Sequence, residues 1–186
     1  MPALTVLDDI TVEEYLEGEA LSEVRHEYFD GKVFAMAGAS AEHEGVSGNL
    51  FASLHAHLKG KLYKVFKDGM KLRLEVRGKD LFYYPDILVT CQPTDNNRFF
   101  RNSPKLIIEV LSKDENKDLV EKFFAYQRIE SLEEYVVVRP DPKNREAFVF
   151  RKGTDWDRPL VLTEGSLDLV SVGLTLSMDD IFDGVG

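Results

Sequence analysis

Hydrophobic positions along the chain change period several times, and each change predicts an element. Thr11 and Glu14 in TVEEYLEG form a capping box, which predicts a short helix at 12–17. HEYFDGKVFAM reads as two short strands about Asp30-Gly31, a strong hairpin signal. Val46, Leu50, Leu54 and Leu58 then recur at four-residue intervals, so a helix is predicted from Ala41 to about Gly60. YKVFKDGMKLRLEV, FYYPDILVTC and KLIIEVLS follow as three strand-like regions separated by turn chemistry or polar loops. A second long helix is predicted from about Glu115 to Ile129, with Leu119, Phe123 and Tyr126 on one side. EEYVVVRP is a short β-branched run of the kind buried inside a sheet. REAFVFRKG, PLVLTEG, SLDLVSVGL and LSMDDIF read as peripheral strands and a terminal helical turn. The central order is helix, strands, helix, strand, which predicts an α/β fold with helices around a mixed sheet.

Two of the apolar strand regions carry a carboxylate where a hydrophobic residue would be ordinary. Asp86 follows Pro85 in FYYPDILVTC, and Glu109 sits within KLIIEVLS. An isolated buried carboxylate costs several kcal/mol even after relaxation. If the two regions are neighbouring strands, the acids can meet, and two like charges are tolerated only with a proton or a cation between them. Hard cations such as Mg²⁺ take oxygen ligands of this kind, completed by water and substrate phosphate. On the second helix Asp118, Lys122 and Tyr126 recur every four residues and form a polar stripe. A lysine beside a metal centre can orient water or stabilise developing charge. The same spacing equally describes an Asp118–Lys122 surface pair worth a few tenths of a kcal/mol.

Composition narrows the choices. With 186 residues and 44% hydrophobic content the chain reads as one domain, 1–186, with a proper core. It contains no apolar run near the roughly 20 residues of a membrane span, and MPALTVLDDIT lacks the pattern of a signal peptide. One cysteine, Cys91, allows no intrachain disulfide and fits a reducing cytoplasm. The net charge of −10 argues against a protein that coats DNA through non-specific electrostatics. Any contact with DNA must use a local patch or bound cations.

Pro85-Asp86, IIEVLS (107–112), DLVEKFFAY (118–126) and EEYVVV (133–138) together resemble the Uma2 family of restriction-endonuclease-like proteins. HEYFDGKVFAMAGAS and EHEGVSGNL are similar to the amino-terminal part of the same family, and the resemblance runs from about Thr11 to Phe182. It implies the αβββαβ core of the PD-(D/E)XK nucleases, with an added N-terminal hairpin and C-terminal strands. It also implies a Mg²⁺- or Mn²⁺-dependent DNA endonuclease. On that resemblance Asp86 and Glu109 bind the metal with the Val110 carbonyl as a further ligand. Leu111 stands where the superfamily's lysine is expected, and the matching lysine is Lys122 on the following helix. Glu27 matches a family acidic position, as an additional ligand or a support for the hairpin. His43 matches a family histidine, as a helix-start hydrogen-bonding residue or a direct participant. The alternative is a nuclease-like fold that has lost catalysis and acts as a nucleic-acid or protein binding module, for which Lys122 would stand out in solvent. A carboxylate-pair glycosidase fits the acids but uses neither Lys122 nor the resemblance.

Other features have plainer readings. Arg98 and Arg101 flank Phe99 and Phe100, a pairing that can grip phosphates and stack on bases or anchor a loop through its phenylalanines. Lys64, Lys67, Lys71, Arg73 and Arg77 form the best sequence candidate for a DNA-facing strip. Tyr83, Tyr84 and Trp156 read as packing or dimer-interface residues, and a homodimer is expected because many nucleases cut both strands as pairs. His55 and His57 lack the context of a zinc site.

Overall fold

The structure is a computed structural model that describes residues 9–112, 117–154 and 156–186, with the backbone alone for residues 117–119. Helix α1 (Val12–Leu21) starts on Thr11, whose hydroxyl accepts from the Glu14 backbone while the Glu14 carboxylate accepts from the Thr11 backbone. The expected capping box therefore forms, and the helix continues four residues beyond the predicted end at residue 17. Strands β1 (His26–Phe29) and β2 (Lys32–Ala35) make the expected hairpin. Its two turn residues, Asp30 and Gly31, have φ of 46° and 90°, as a primed turn requires.

Helix α2 (Ala41–Leu58) buries Val46, Leu50, Leu54 and Leu58, the predicted stripe, against one face of a sheet. The chain then alternates between two sheets. Strand β3 (Lys64–Lys67) belongs to one sheet, β4 (Lys71–Val76) and β5 (Lys79–Tyr83) to the other, and β6 (Ile87–Thr90) returns to the first. Strand β7 (Phe100–Arg101) runs parallel to β4. The long strand β8 (Pro104–Val110) is followed by a π-helical segment (Lys117–Lys122) that continues into α3 (Phe123–Tyr126). Strand β9 (Glu134–Arg139) is parallel to β8, and β10 (Glu146–Arg151) and β11 (Leu160–Leu162) extend the sheet from it. A separate hairpin, β12 (Ser166–Leu169) and β13 (Leu174–Ser177), leads to α4 (Met178–Ile181).

The larger sheet has the order β11-β10-β9-β8-β6-β3, and within it α2, β3, β6, β8, α3 and β9 reproduce the expected αβββαβ succession. The second sheet, β2-β1-β5-β4-β7, joins the N-terminal hairpin to a β4–β5 hairpin inserted between β3 and β6. The larger sheet is apolar on both faces. Ile87, Val89, Ile108 and Val110 pack toward α2, while Leu88, Ile107, Val137 and Leu111 pack with Tyr126 on the other side. That two-sided burial explains the unbroken apolar runs of β6, β8 and β9.

Three expectations need correction. YKVFKDGMKLRLEV and FYYPDILVTC each divide into two strands that enter different sheets. Asp68, at φ 52°, sits in the first break, and Pro85, which lacks an N–H for a ladder, sits in the second. Asp86 therefore lies at the entrance to β6 and is partly exposed, whereas Glu109 is a strand residue only 2% exposed. The second long helix is π-wound over its first described turns. Its predicted start at residues 115–116, and the Asp118 side chain, lie outside the described residues.

Candidate active site

Strand register sets the two acid-bearing stretches side by side. Strands β6 and β8 are antiparallel, with Leu88 opposite Ile107 and Ile87 opposite Ile108. Asp86 stands one residue before the last of these pairs and Glu109 one residue beyond it. The ladder itself ends at Ile87 because Pro85 and Asp86 turn away toward β5. The Asp86 side chain takes over: its Oδ2 accepts the Val110 N–H at 2.7 Å. One carboxylate is thus bonded to the peptide that leads out of the other's residue.

Glu109 points into the side of the sheet covered by α3. Its Oε1 accepts from the Lys122 ammonium at 3.1 Å and from the Tyr126 hydroxyl at 2.8 Å. Lys122 also lies 3.3 Å from Oε1 of Glu27, on β1 of the other sheet, and 5.8 Å from the centroid of the Tyr83 ring. Glu27, Glu109 and Lys122 are 5%, 2% and 4% exposed. Lys122 and Tyr126 meet the same oxygen because residues four apart share one helix face. Burial pushes the Tyr126 phenol well above its ordinary range, and the neighbouring Glu109 charge adds to the effect, so it remains a donor at neutral pH. The buried Lys122 is opposite to what a binding module with a solvent-facing lysine requires. Leu111, in the place of the expected lysine, is a core residue packed near Tyr126.

His43 lies in the first turn of α2, where the Ser40 hydroxyl caps its backbone N–H. Its Nε2 is 3.2 Å from Asp86 Oδ2. Burial pulls the imidazole pKa down, but the hydrogen bond and charge of Asp86, with Glu44 and Asp68 behind it, outweigh burial and raise it overall. Nδ1 of His43 is buried with no hydrogen-bond partner among the described residues. Sequence reasoning picked out Glu27, Asp86, Glu109 and Lys122, and left His43 and Tyr126 without an assigned contact. Their signal was present in the spacing of Tyr126 from Lys122 and in the position of His43 at a helix start.

The predicted basic strip does not form a continuous surface. Lys64 and Lys67 lie on β3 of one sheet, Lys71 and Arg73 on β4 of the other. Lys67 pairs with Glu44 and Asp68, Arg73 pairs with Asp80, and Lys71 is buried. Arg101 is also buried, bonded to the Asn97 and Phe100 carbonyls and lying 4.8 Å from the Phe66 ring centroid. Of Arg98, Phe99, Phe100 and Arg101, the first two are exposed and the last two buried. Tyr83, Tyr84 and Trp156 are packing residues, and His57 bonds the Val172 carbonyl. A cavity of about 730 Å³ lies beside Arg73, Asn102, Arg128 and Ser131 and includes none of Glu27, Asp86, Glu109 and Lys122. Among the described residues no three His, Cys, Asp or Glu side chains gather as a metal site, and no helix is long and apolar enough to cross a membrane.

The chain is similar to known proteins over most of its length. The model of the family Uma2, described as "Putative restriction endonuclease", matches residues 12–179. The uncharacterized protein slr1290 of Synechocystis is 32% identical over 180 residues, covering 95% of this chain and 93% of that protein. A second uncharacterized Synechocystis protein, sll1609, is 32% identical over 133 residues, covering 69% of this chain and 74% of its own length. Among solved structures, a putative nuclease belonging to DUF820 from Anabaena variabilis superposes with a TM-score of 0.73. It covers 93% of this chain and 97% of its own at 19% identity, a likeness of fold.

Proposed function

The chain belongs to the Uma2 family, and from that premise we propose that it is a divalent-metal-dependent endonuclease that hydrolyses phosphodiester bonds in DNA. The observation that carries the reading is Lys122. It comes from a different element than Glu109, yet its ammonium is held 3.1 Å from that carboxylate, which answers the absence of a lysine at Leu111.

The donor set fits a hard cation in kind. Asp86, Glu109 and the Val110 carbonyl would hold Mg²⁺ or Mn²⁺, a number of protein ligands ordinary for such ions. Among the described residues Glu27 and Glu109 share the Lys122 ammonium, an excess of negative charge that opposes an approaching phosphate. Once bound, the ion supplies Lewis-acid polarisation of the phosphate and a more acidic water. The chain's own residues do the rest. The Lys122 ammonium orients the attacking water and stabilises negative charge developing on the phosphate oxygens. Glu27 holds that ammonium from the opposite sheet, so its position is set before substrate arrives.

Nicking of supercoiled plasmid in Mg²⁺ or Mn²⁺ tests this directly. Wild type should convert supercoiled to open-circular DNA, and Asp86→Ala, Glu109→Ala and Lys122→Met should fall to background. Wild type and Asp86→Ala behaving alike on supercoiled, linear, single-stranded and branched DNA would remove the reading.

A further inference from the structure

Each of the two acids has one oxygen held by two donors, and in each case one donor is a side chain that the proposed chemistry does not use. For Glu109 the shared oxygen is Oε1, with Lys122 at 3.1 Å and Tyr126 at 2.8 Å. For Asp86 it is Oδ2, with the Val110 N–H at 2.7 Å and His43 Nε2 at 3.2 Å. We infer that Tyr126 and His43 are positioning residues, which fix the rotation of the two carboxylates so that a divalent cation meets them already aimed.

The geometry makes this more than incidental packing. Tyr126 is fully buried and stacked edge-on against Tyr83 and Tyr135, with ring centroids 5.6 and 5.3 Å away, so its hydroxyl cannot swing off Glu109. His43 keeps its contact with Asp86 although its Nδ1 is buried without a partner among the described residues. A fold selected for stability alone would favour an apolar side chain there, because an unsatisfied buried nitrogen is a net cost. The Asp86 backbone carbonyl accepts the Asp68 N–H at 3.0 Å, while its carboxylate is held by the Val110 N–H and His43. Groups that orient a metal's ligands without touching the metal govern affinity in this way.

The inference rests on the metal-binding reading above, and its test separates the two. Mn²⁺ binding to the whole chain without DNA is measured by electron paramagnetic resonance of the free ion. Measurements cover wild type, Asp86→Ala, Tyr126→Phe, His43→Leu and His43→Gln, with thermal unfolding in EDTA as the check on folding. Tyr126→Phe and His43→Leu should each weaken Mn²⁺ about 10- to 100-fold. His43→Gln, which keeps an N–H donor at the distal position, should restore binding to near wild type. If Asp86→Ala loses Mn²⁺ while Tyr126→Phe and His43→Leu bind it as wild type does, the positioning role is wrong and the metal site stands. If wild type and Asp86→Ala bind Mn²⁺ equally, both readings fail. Should Tyr126→Phe not fold, the contrast between His43→Leu and His43→Gln decides alone.

Discussion

Lys71 and Lys122 are buried to nearly the same degree, 7% and 4% exposed, and their surroundings differ. Lys122 is shared by two carboxylates, and removing one member of such a group leaves uncompensated buried charge. Lys71 rests 5.3 Å from the centroid of the Tyr84 ring, and burial lowers its pKa, with Glu19 offsetting part of the effect. Between that lowered value and the ordinary 10.5, the unfolded chain holds more protons than the folded one. Stability therefore rises with pH across that window. Lys71→Met keeps the stem and drops the charge, and it should stabilise the protein at pH 7 by about 1 kcal/mol, net of the lost cation–ring attraction. Urea melts from pH 7 to 10.5 should show the advantage shrinking as pH rises; an advantage that grows would contradict the assignment. The types and order of Glu27, Asp86, Glu109 and Lys122 could be read from sequence because they form a linear pattern. The bonds of His43 and Tyr126 could not, since each depends on which strand lies opposite which helix turn.

At the scale of elements, periodicity located α2 and β9 well, because both bury wide apolar faces with no interruption. It merged β3 with β4 and β5 with β6, because a strand that leaves one sheet for another keeps its apolar character. The punctuation was nonetheless there, at Asp68-Gly69 and Pro85. Helix α1 is the reverse case: only Tyr15 is buried, so the helix depends on its local start signal. Thr11→Ala should cost about 1 kcal/mol by removing the cap. Equilibrium unfolding in urea should show a lower midpoint with an unchanged slope, and no shift at all would mean that the capping box contributes nothing to this fold.

For the molecule as a whole, the balance of −10 and the pairing of Lys67 and Arg73 limit its grip on a polyanion. If about three phosphates or fewer are neutralised, DNA affinity should fall no more than roughly 40-fold between about 50 and 200 mM salt. Fluorescence anisotropy with a labelled duplex in Ca²⁺ measures the slope, and a fall of about 10³-fold or more would reveal a cationic face that these pairings do not show. The two-sheet architecture has one more consequence. Glu27 stands on one sheet and Glu109 on the other, and a single ammonium is drawn to both. The proposed catalytic lysine is thus a caliper across the seam between the sheets. A cavity cut in either core, far from any phosphate, would be registered there first, as slower chemistry in a protein that still folds.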